Sequence, residues 1–441
     1  MSNEKKGNFL DNTVWLISGQ ILRLILSFFI STLTTRYLGP SNFGVVNYIS
    51  SYIAFFTSII GLGINGIIIH ELVNHREESG KILGTAITFR FITSIICTIA
   101  FFTVVYLTDG NDKTMMVVAF LQAVQLPFLC LDTLNYWYQS NYQSKYPVII
   151  QTIAYVVTSA YKVFLLVTGK SVEWFAFSMS LDISLISILY LAIYIKQKEQ
   201  KLRYSHSVAK RLLKSCLPFI LANIMTVIYG QMDRVMIKQM MGSDAQVGLY
   251  SAAITICTLI SFIPIAILES GRPLVVEAKQ NGDELYRLRF RQLAASIFWI
   301  SALYSLFITV FSKLVIWLLY GEAYIPADMC LKIAVWYTAF SYLGSAMHLW
   351  LICEEKNKYV LVFCSAGAAG NLILNGLMIP LWGINGAAFA TFITQFFTNF
   401  ILPIFFKDTR PYTVEVMRAI LLINVQPRQL ISAFMSKLRR K

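Results

Sequence analysis

Residues 12–44 read NTVWLISGQILRLILSFFISTLTTRYLGPSNFG. Apolar side chains fill most of the stretch, which is long enough for a helix to cross a hydrocarbon core about 30 Å thick. Gln20, Arg23, Ser27 and Ser31 recur at three- and four-residue steps, so on a helix they share one stripe. An arginine at mid-bilayer costs about 2.5–3.5 kcal/mol on insertion scales. It persists where it faces a bundle interior or a wet cavity, which makes this stripe the first candidate for a transport pathway.

The rest of the chain follows the same pattern. Its 441 residues are 56% hydrophobic and 14% charged, against about 25% charged in a typical soluble protein. The apolar residues gather in stretches of spanning length, so the sequence predicts an all-α polytopic membrane protein. The first apolar run is of full spanning length and lacks a small-residue cleavage site, so no cleavable signal is expected. A net charge of +14 would suggest nucleic acid in a soluble protein. Here it predicts cytoplasmic loops and no nucleic-acid partner. The seven cysteines form no CxxC pair and lie in or beside apolar spans, which excludes a disulfide framework and a metal site.

Twelve spans are predicted, at 13–36, 43–69, 84–107, 114–138, 147–168, 173–195, 213–238, 246–268, 292–320, 327–352, 359–380 and 384–406. With the N-terminus cytoplasmic, the inside segments hold 27 Lys and Arg and the outside loops hold five. That bias predicts both termini inside. The segment 196–212 (KQKEQKLRYSHSVAKRL) divides the chain into a six-helix lobe over 1–195 and a second over 213–406. It reads as a cytoplasmic linker with a surface-lying part. Residues 407–441 form a basic cytoplasmic tail, expected as a helix on the anionic inner leaflet.

The halves look related. Setting YLG at 37–39 on MMG at 240–242 places Gln20 on Asn223, Arg23 on Thr226 and Ser27 on Gly230. FGVVNYISS at 43–51 opens the next span much as VGLYSAAI at 247–254 does, and Lys145-Tyr146 matches Lys358-Tyr359. Each half has an even number of spans, so the repeats are parallel. Two such lobes would leave a central cavity lined by spans one and seven.

Arg23 has two readings: a structural arginine paired with a buried acid or carbonyl, or an anion contact in the cavity. Arg90 and Lys162 lie nearer span ends, where a long side chain can snorkel. Asp233-Arg234 ends a face of span seven that also carries Asn223, Thr226 and Gly230. Adjacent residues point about 100° apart on a helix and do not pair. Asp233 reads either as an inter-helix anchor, the favoured reading, or as a cation- or proton-coupling acid. Asp132 and Asp182 are intramembrane acids and the natural partners of the buried cations. GLGING at 61–66 matches GxGxxG but follows a helical run, so it reads as a helix end rather than a dinucleotide site. No catalytic set can be assembled, and no cofactor is predicted beyond coupling to Na+ or H+.

TTRYLGPSNFG at 34–44, after an amphiphilic first span, resembles the signature of the polysaccharide-synthesis (Wzx-type) flippases. These belong to the multidrug/oligosaccharidyl-lipid/polysaccharide exporter superfamily. MDRVMIKQMMG at 232–242 looks like that family's second-lobe motif, and YWYQSNYQSKY at 136–146 like its usual end of span four. The likeness covers roughly 8–406; the basic tail is not part of it. It implies a flippase of the bacterial cytoplasmic (inner) membrane, moving undecaprenyl-pyrophosphate-linked oligosaccharide units for O-antigen, capsule or exopolysaccharide synthesis. Expected partners are that lipid-linked substrate, membrane lipids, a polysaccharide polymerase and a chain-length regulator.

The anionic headgroup would need cations at membrane depth, for which Arg23, Arg90, Lys162 and Arg234 are the candidates, with Gln20 and Asn223 beside them. A cation-coupled multidrug exporter of the same superfamily is the alternative, but it calls for an acidic cavity. A membrane polymerase or ligase would carry a large outer loop, which this chain lacks.

Overall fold

The computed structural model describes residues 3–143, 145–197 and 200–425. Among them there is no strand, and the chain divides into two compact units, Met1–Val235 and Met236–Lys441. The first holds α1 (Asn3–Ile60), α2 (Asn65–Asn74), α3 (Ser79–Asp109), α4 (Lys113–Ala123), α5 (Gln125–Phe128), α6 (Thr133–Ser140), α7 (Lys145–Val167), α8 (Val172–Lys196) and most of α9 (His206–Met241). The second holds α10 (Asp244–Thr258), α11 (Phe262–Gln280), α12 (Asp283–Tyr320), α13 (Asp328–Ala334), α14 (Tyr337–Cys353), α15 (Lys358–Phe396) and α16 (Arg410–Ile420). The division falls inside α9, later than the 196–212 linker that the charge pattern picks out.

Helix occupies all twelve predicted spans. Seven stretches among the described residues are long and apolar enough to cross a membrane, and α10 and α11, bent by 41°, pass the same test when taken together. Two of the seven are double. Leu26–Ile60 turns at Gly39 and Lys358–Phe405 turns at Gly383. At 1.5 Å per residue a 48-residue helix would be about 70 Å long, more than twice the hydrocarbon thickness. The glycines make the break because their φ values of 68° and 57° are left-handed, a region that L side chains rarely adopt. The GLGING stretch is a helix break as well, with Leu62 and Gly63 both at positive φ between α1 and α2.

The repeat is visible in the backbone. Gly39 and Gly242, aligned through YLG and MMG, have φ values of 68° and 65°. Lys145 and Lys358 each begin a helix, α7 and α15, and each helix runs on to a glycine of positive φ, Gly169 and Gly383.

Two polar segments pack more closely than their sequence suggests. The linker runs over two glycines of α3. Gly80 N–H donates to Gln200 Oε1 at 3.0 Å, Arg203 N–H to the Gly80 carbonyl at 3.1 Å, and Ser205 N–H to Thr85 Oγ1 at 2.9 Å. A Cβ at position 84 would stand 2.4 Å from the Arg203 nitrogen. The part expected to lie on a lipid surface instead begins α9, where Val208, Ala209 and Leu212 are buried.

The start of the tail is likewise not a free basic helix. Tyr412, Val416 and Ala419 of α16 join the core of the second unit with Phe290, Leu343 and Trp350. Glu415, 4% exposed, accepts two hydrogen bonds from Arg291, at 2.6 and 2.8 Å. Residues 426–441 lie outside the described ones.

Because Arg203 backbone fills the space beside Gly84, Gly84→Ala should displace the strap and destabilise the protein by about 1–3 kcal/mol. Gly230 has nothing within 4 Å of a built Cβ, so Gly230→Ala should leave melting in detergent unchanged or slightly raised. Glu415→Ala should cost about 3–5 kcal/mol by leaving Arg291 buried and unpaired, and Arg291→Met combined with Glu415→Leu should recover most of it.

Candidate functional site

The charged residues of the first unit are drawn together by a break in span four. Pro127 lies in α5, and from Leu129 to Asp132 the chain is a 3-10 turn before α6 resumes. A broken helix leaves carbonyls without their usual donors. Two serines of α8 supply them: Ser180 donates to the Gln122 carbonyl at 3.0 Å and Ser187 to the Phe128 carbonyl at 2.9 Å. Seven residues apart, they occupy one face of α8. The break sets Asp132 and Thr133 beside α3, where Arg90 Nη1 donates to Thr133 Oγ1 at 3.0 Å and Asp132 is its electrostatic partner. Arg90 is buried, so it does not snorkel.

A second part of the cluster lies between α1, α7 and α8. Arg23, half-buried, donates through Nη1 to Gln151 Oε1, and Gln151 Nε2 donates to Tyr190 Oη at 2.9 Å. Thr158, one further turn pair along α7, donates to Asp182 Oδ1 at 3.3 Å. Asp182 stands within electrostatic reach of both Lys162 and Arg23, and Tyr190 within reach of Asp132 and Arg23. None of these charges forms an ion pair within 4.0 Å among the described residues. The network joins Arg23, Arg90 and Lys162 to two carboxylates and so carries an excess of one cation.

Sequence reasoning singled out the five charges and paired the acids with the cations. It missed Gln151, Thr158, Thr133 and Tyr190. One signal was available: Gln151, Thr158 and Lys162 are spaced by seven and four, a polar stripe on an otherwise apolar helix.

The span-seven candidates are placed differently. Asn223, Thr226 and Gly230 are exposed on α9, whereas Asp233 is buried. Arg234, half-buried, donates to Gln231 one turn back on its own helix. The side chain of Gln20 lies outside the described residues.

The second unit has a counterpart of different chemistry. Setting Lys145-Tyr146 on Lys358-Tyr359 places Thr158 on Asn371, Lys162 on Asn375 and Asp182 on Gln395. Asn375 Nδ2 donates to Asn371 Oδ1 at 3.0 Å, Asn371 Nδ2 to Thr391 Oγ1 at 3.4 Å, and both asparagines are fully buried. At these aligned positions the first repeat carries charges and the second carries amides.

A family model described as "Polysaccharide biosynthesis protein" matches residues 9–277. The chain belongs to that family. No curated protein matches it in sequence. Among solved structures it is similar to the lipid II flippase MurJ in an inward closed conformation, at 14% identity over 97% of this chain and 99% of that one, with a TM-score of 0.73. An inward-facing multidrug resistance MATE family transporter of the MOP superfamily aligns at 15% identity over 94% and 96%, with a TM-score of 0.64. A MOP superfamily transporter from Pyrococcus furiosus aligns at 14% identity over 96% of each chain, with a TM-score of 0.61. This family member, a multi-pass membrane protein, thus shares its fold with these solved structures, which are transporters and flippases.

Asp132 is the counter-charge nearest Arg90 in a poorly solvated setting. Asp132→Asn should therefore destabilise this lobe by about 1–3 kcal/mol. Arg90→Met combined with Asp132→Leu should recover part of that loss, read as melting temperature and membrane abundance.

Proposed function

We propose that this protein moves undecaprenyl-pyrophosphate-linked oligosaccharide repeat units from the cytoplasmic to the outer leaflet of the bacterial cytoplasmic membrane, by alternating access. The units would serve O-antigen, capsule or exopolysaccharide synthesis, and both termini would face the cytoplasm. Family membership supports the polysaccharide context. The observation that carries the substrate class is the excess cation in the first lobe, with Arg23 only half-buried and tied to a neutral amide. A pyrophosphate is recognised best by charge-assisted hydrogen bonds from guanidinium and ammonium groups. The half-buried amide of Gln151, held from behind by the buried Tyr190, extends the same surface with a group that suits sugar hydroxyls.

Asp132 and Asp182 favour a second element within this reading, coupling to H+ or Na+. An acid that faces two cations competes with an anionic substrate for them, so proton or sodium binding and substrate binding would be linked. A multidrug exporter is the competing reading. It would need net negative charge to attract cationic drugs, and the cluster has the opposite sign.

Arg23→Ala, expressed in a strain lacking the protein, should abolish surface polysaccharide at normal membrane abundance, and Arg23→Lys should restore part of it. Export that survives Arg23→Ala would make the arginine structural and remove the anion pathway from this lobe.

A further inference from the structure

The face between α11 and α12 in the second unit takes no part in the charge cluster. A pocket of about 390 Å³ lies there, within the 300–1,000 Å³ range of small-molecule sites. Its lining from α11 follows a strict four-residue step: Phe262, Ala266, Ser270 and Leu274 in one row, Ile263, Ile267, Gly271 and Val275 in the next. Two such rows make one continuous helix face about 20 Å long. From α12 come Arg289, Leu293 and Ser296, again on one face. The helices approach closely at Gly271, where a Cβ would stand 2.7 Å from Leu293 Cδ1. The result is a long, narrow apolar groove with a single cation among its lining residues.

That cation and the exposed Arg287 stand apart from the other three cations of 272–291. Arg272 pairs with Glu269 at 3.0 Å, Lys279 with Glu354 at 2.8 Å and Asp283 at 3.2 Å, and Arg291 with Glu415 at 2.6 Å. Arg289 forms no ion pair among the described residues. Its Nη1 donates to Gln292 Oε1 at 3.1 Å, and the buried Gln292, one turn on, orients the guanidinium. Arg289 is six residues from the start of α12, about 9 Å along the axis, so it lies near one end of a helix long and apolar enough to cross a bilayer. The groove continues from there along apolar side chains.

We propose that this groove holds one apolar chain of a phosphate-headed lipid, with Arg289 on the phosphate. Charge complementarity and the length of the groove select that occupant: a free phosphate leaves the apolar rows empty, and a neutral lipid leaves the guanidinium unmatched. The site rests on the membrane fold. It depends on the proposed function only for which lipid of this class fills it. In a flippase loading from the cytoplasmic leaflet, that lipid is the polyprenyl phosphate portion of the substrate.

The test is equilibrium binding of labelled undecaprenyl phosphate to the purified full-length protein in detergent. Undecaprenol, phosphatidylglycerol and inorganic phosphate serve as competitors. Undecaprenol should compete about tenfold more weakly than undecaprenyl phosphate, the worth of one charge-assisted contact. Arg289→Gln should lose that difference and Arg289→Lys should retain most of it. Ala266→Trp, at an exposed position in the groove wall, should block the chain. Melting curves matching the wild type establish that each variant is folded.

Unchanged binding in folded Arg289→Gln and Ala266→Trp overturns the site. Inorganic phosphate competing as well as the lipid overturns chain binding. Phosphatidylglycerol competing equally supports the site and assigns it to ordinary anionic lipid. Arg23→Ala protein that no longer exports but still binds separates this site from the transport reading, since each can fail without the other.

Discussion

A charge inside a low-dielectric lobe must be compensated there, and the first unit is built around that requirement. The cost of leaving Arg23, Arg90 or Lys162 uncompensated inside the lobe is several times the net worth of an ordinary hydrogen bond. Asp132 and Asp182 offset two of the three, and Gln151, Thr158, Thr133 and Tyr190 supply the hydrogen bonds. The rest of the local architecture follows. Span four breaks so that Asp132 and Thr133 can stand beside α3, and the carbonyls released by the break are taken up by serines of α8.

The same backbone appears in the second unit without the same demand. Gly39 and Gly242 turn the chain in one conformation, and α7 and α15 both run from a Lys-Tyr start to a glycine of positive φ. Yet Thr158, Lys162 and Asp182 give way to Asn371, Asn375 and Gln395. Amides satisfy each other in pairs and need no counter-ion, so these aligned positions carry no charge. The backbone repeat supplies two lobes, and the side chains make them unequal.

Much of this was legible in sequence because membrane physics restricts it. Spanning length, the cost of buried charge and the stripe through Arg23 led directly to the helical architecture and to the five charges of the cluster. Contacts that depend on shape did not show. Gly84 reads as an ordinary small residue at the start of a span and Gly80 as part of the segment before it, and only their approach to the backbone of 200–205 shows that the linker is strapped down. α16 carries Arg410, Glu415 and Arg418 and so reads as a polar tail. Its buried face of Tyr412, Val416 and Ala419 has meaning only against Phe290 and Trp350, more than sixty residues away. Gln151 is marked by the polar stripe it shares with Thr158 and Lys162, but Tyr190 is a common residue type in membrane helices, and nothing in its own neighbourhood marks it as part of the bridge between Arg23 and the rest of the cluster.

The start of α12 shows how coarse a charge count is. The positive-inside rule treats the five cations of 272–291 alike, as signals of which side a loop occupies. The structure separates them by the direction each side chain takes. Arg289 and Arg291 are two residues apart and so point to nearly opposite sides of one helix. Arg291 enters the protein core, where Glu415 must meet it, and the chain after span twelve is folded back to bring that carboxylate in. Arg289 faces a groove whose protein walls offer no carboxylate. A cation needed only for topology could sit anywhere in the loop and would gain nothing from an apolar groove beside it. Its position at the mouth of one, oriented by a buried glutamine, is therefore a constraint of a different kind, set by what must lie against that face of the protein.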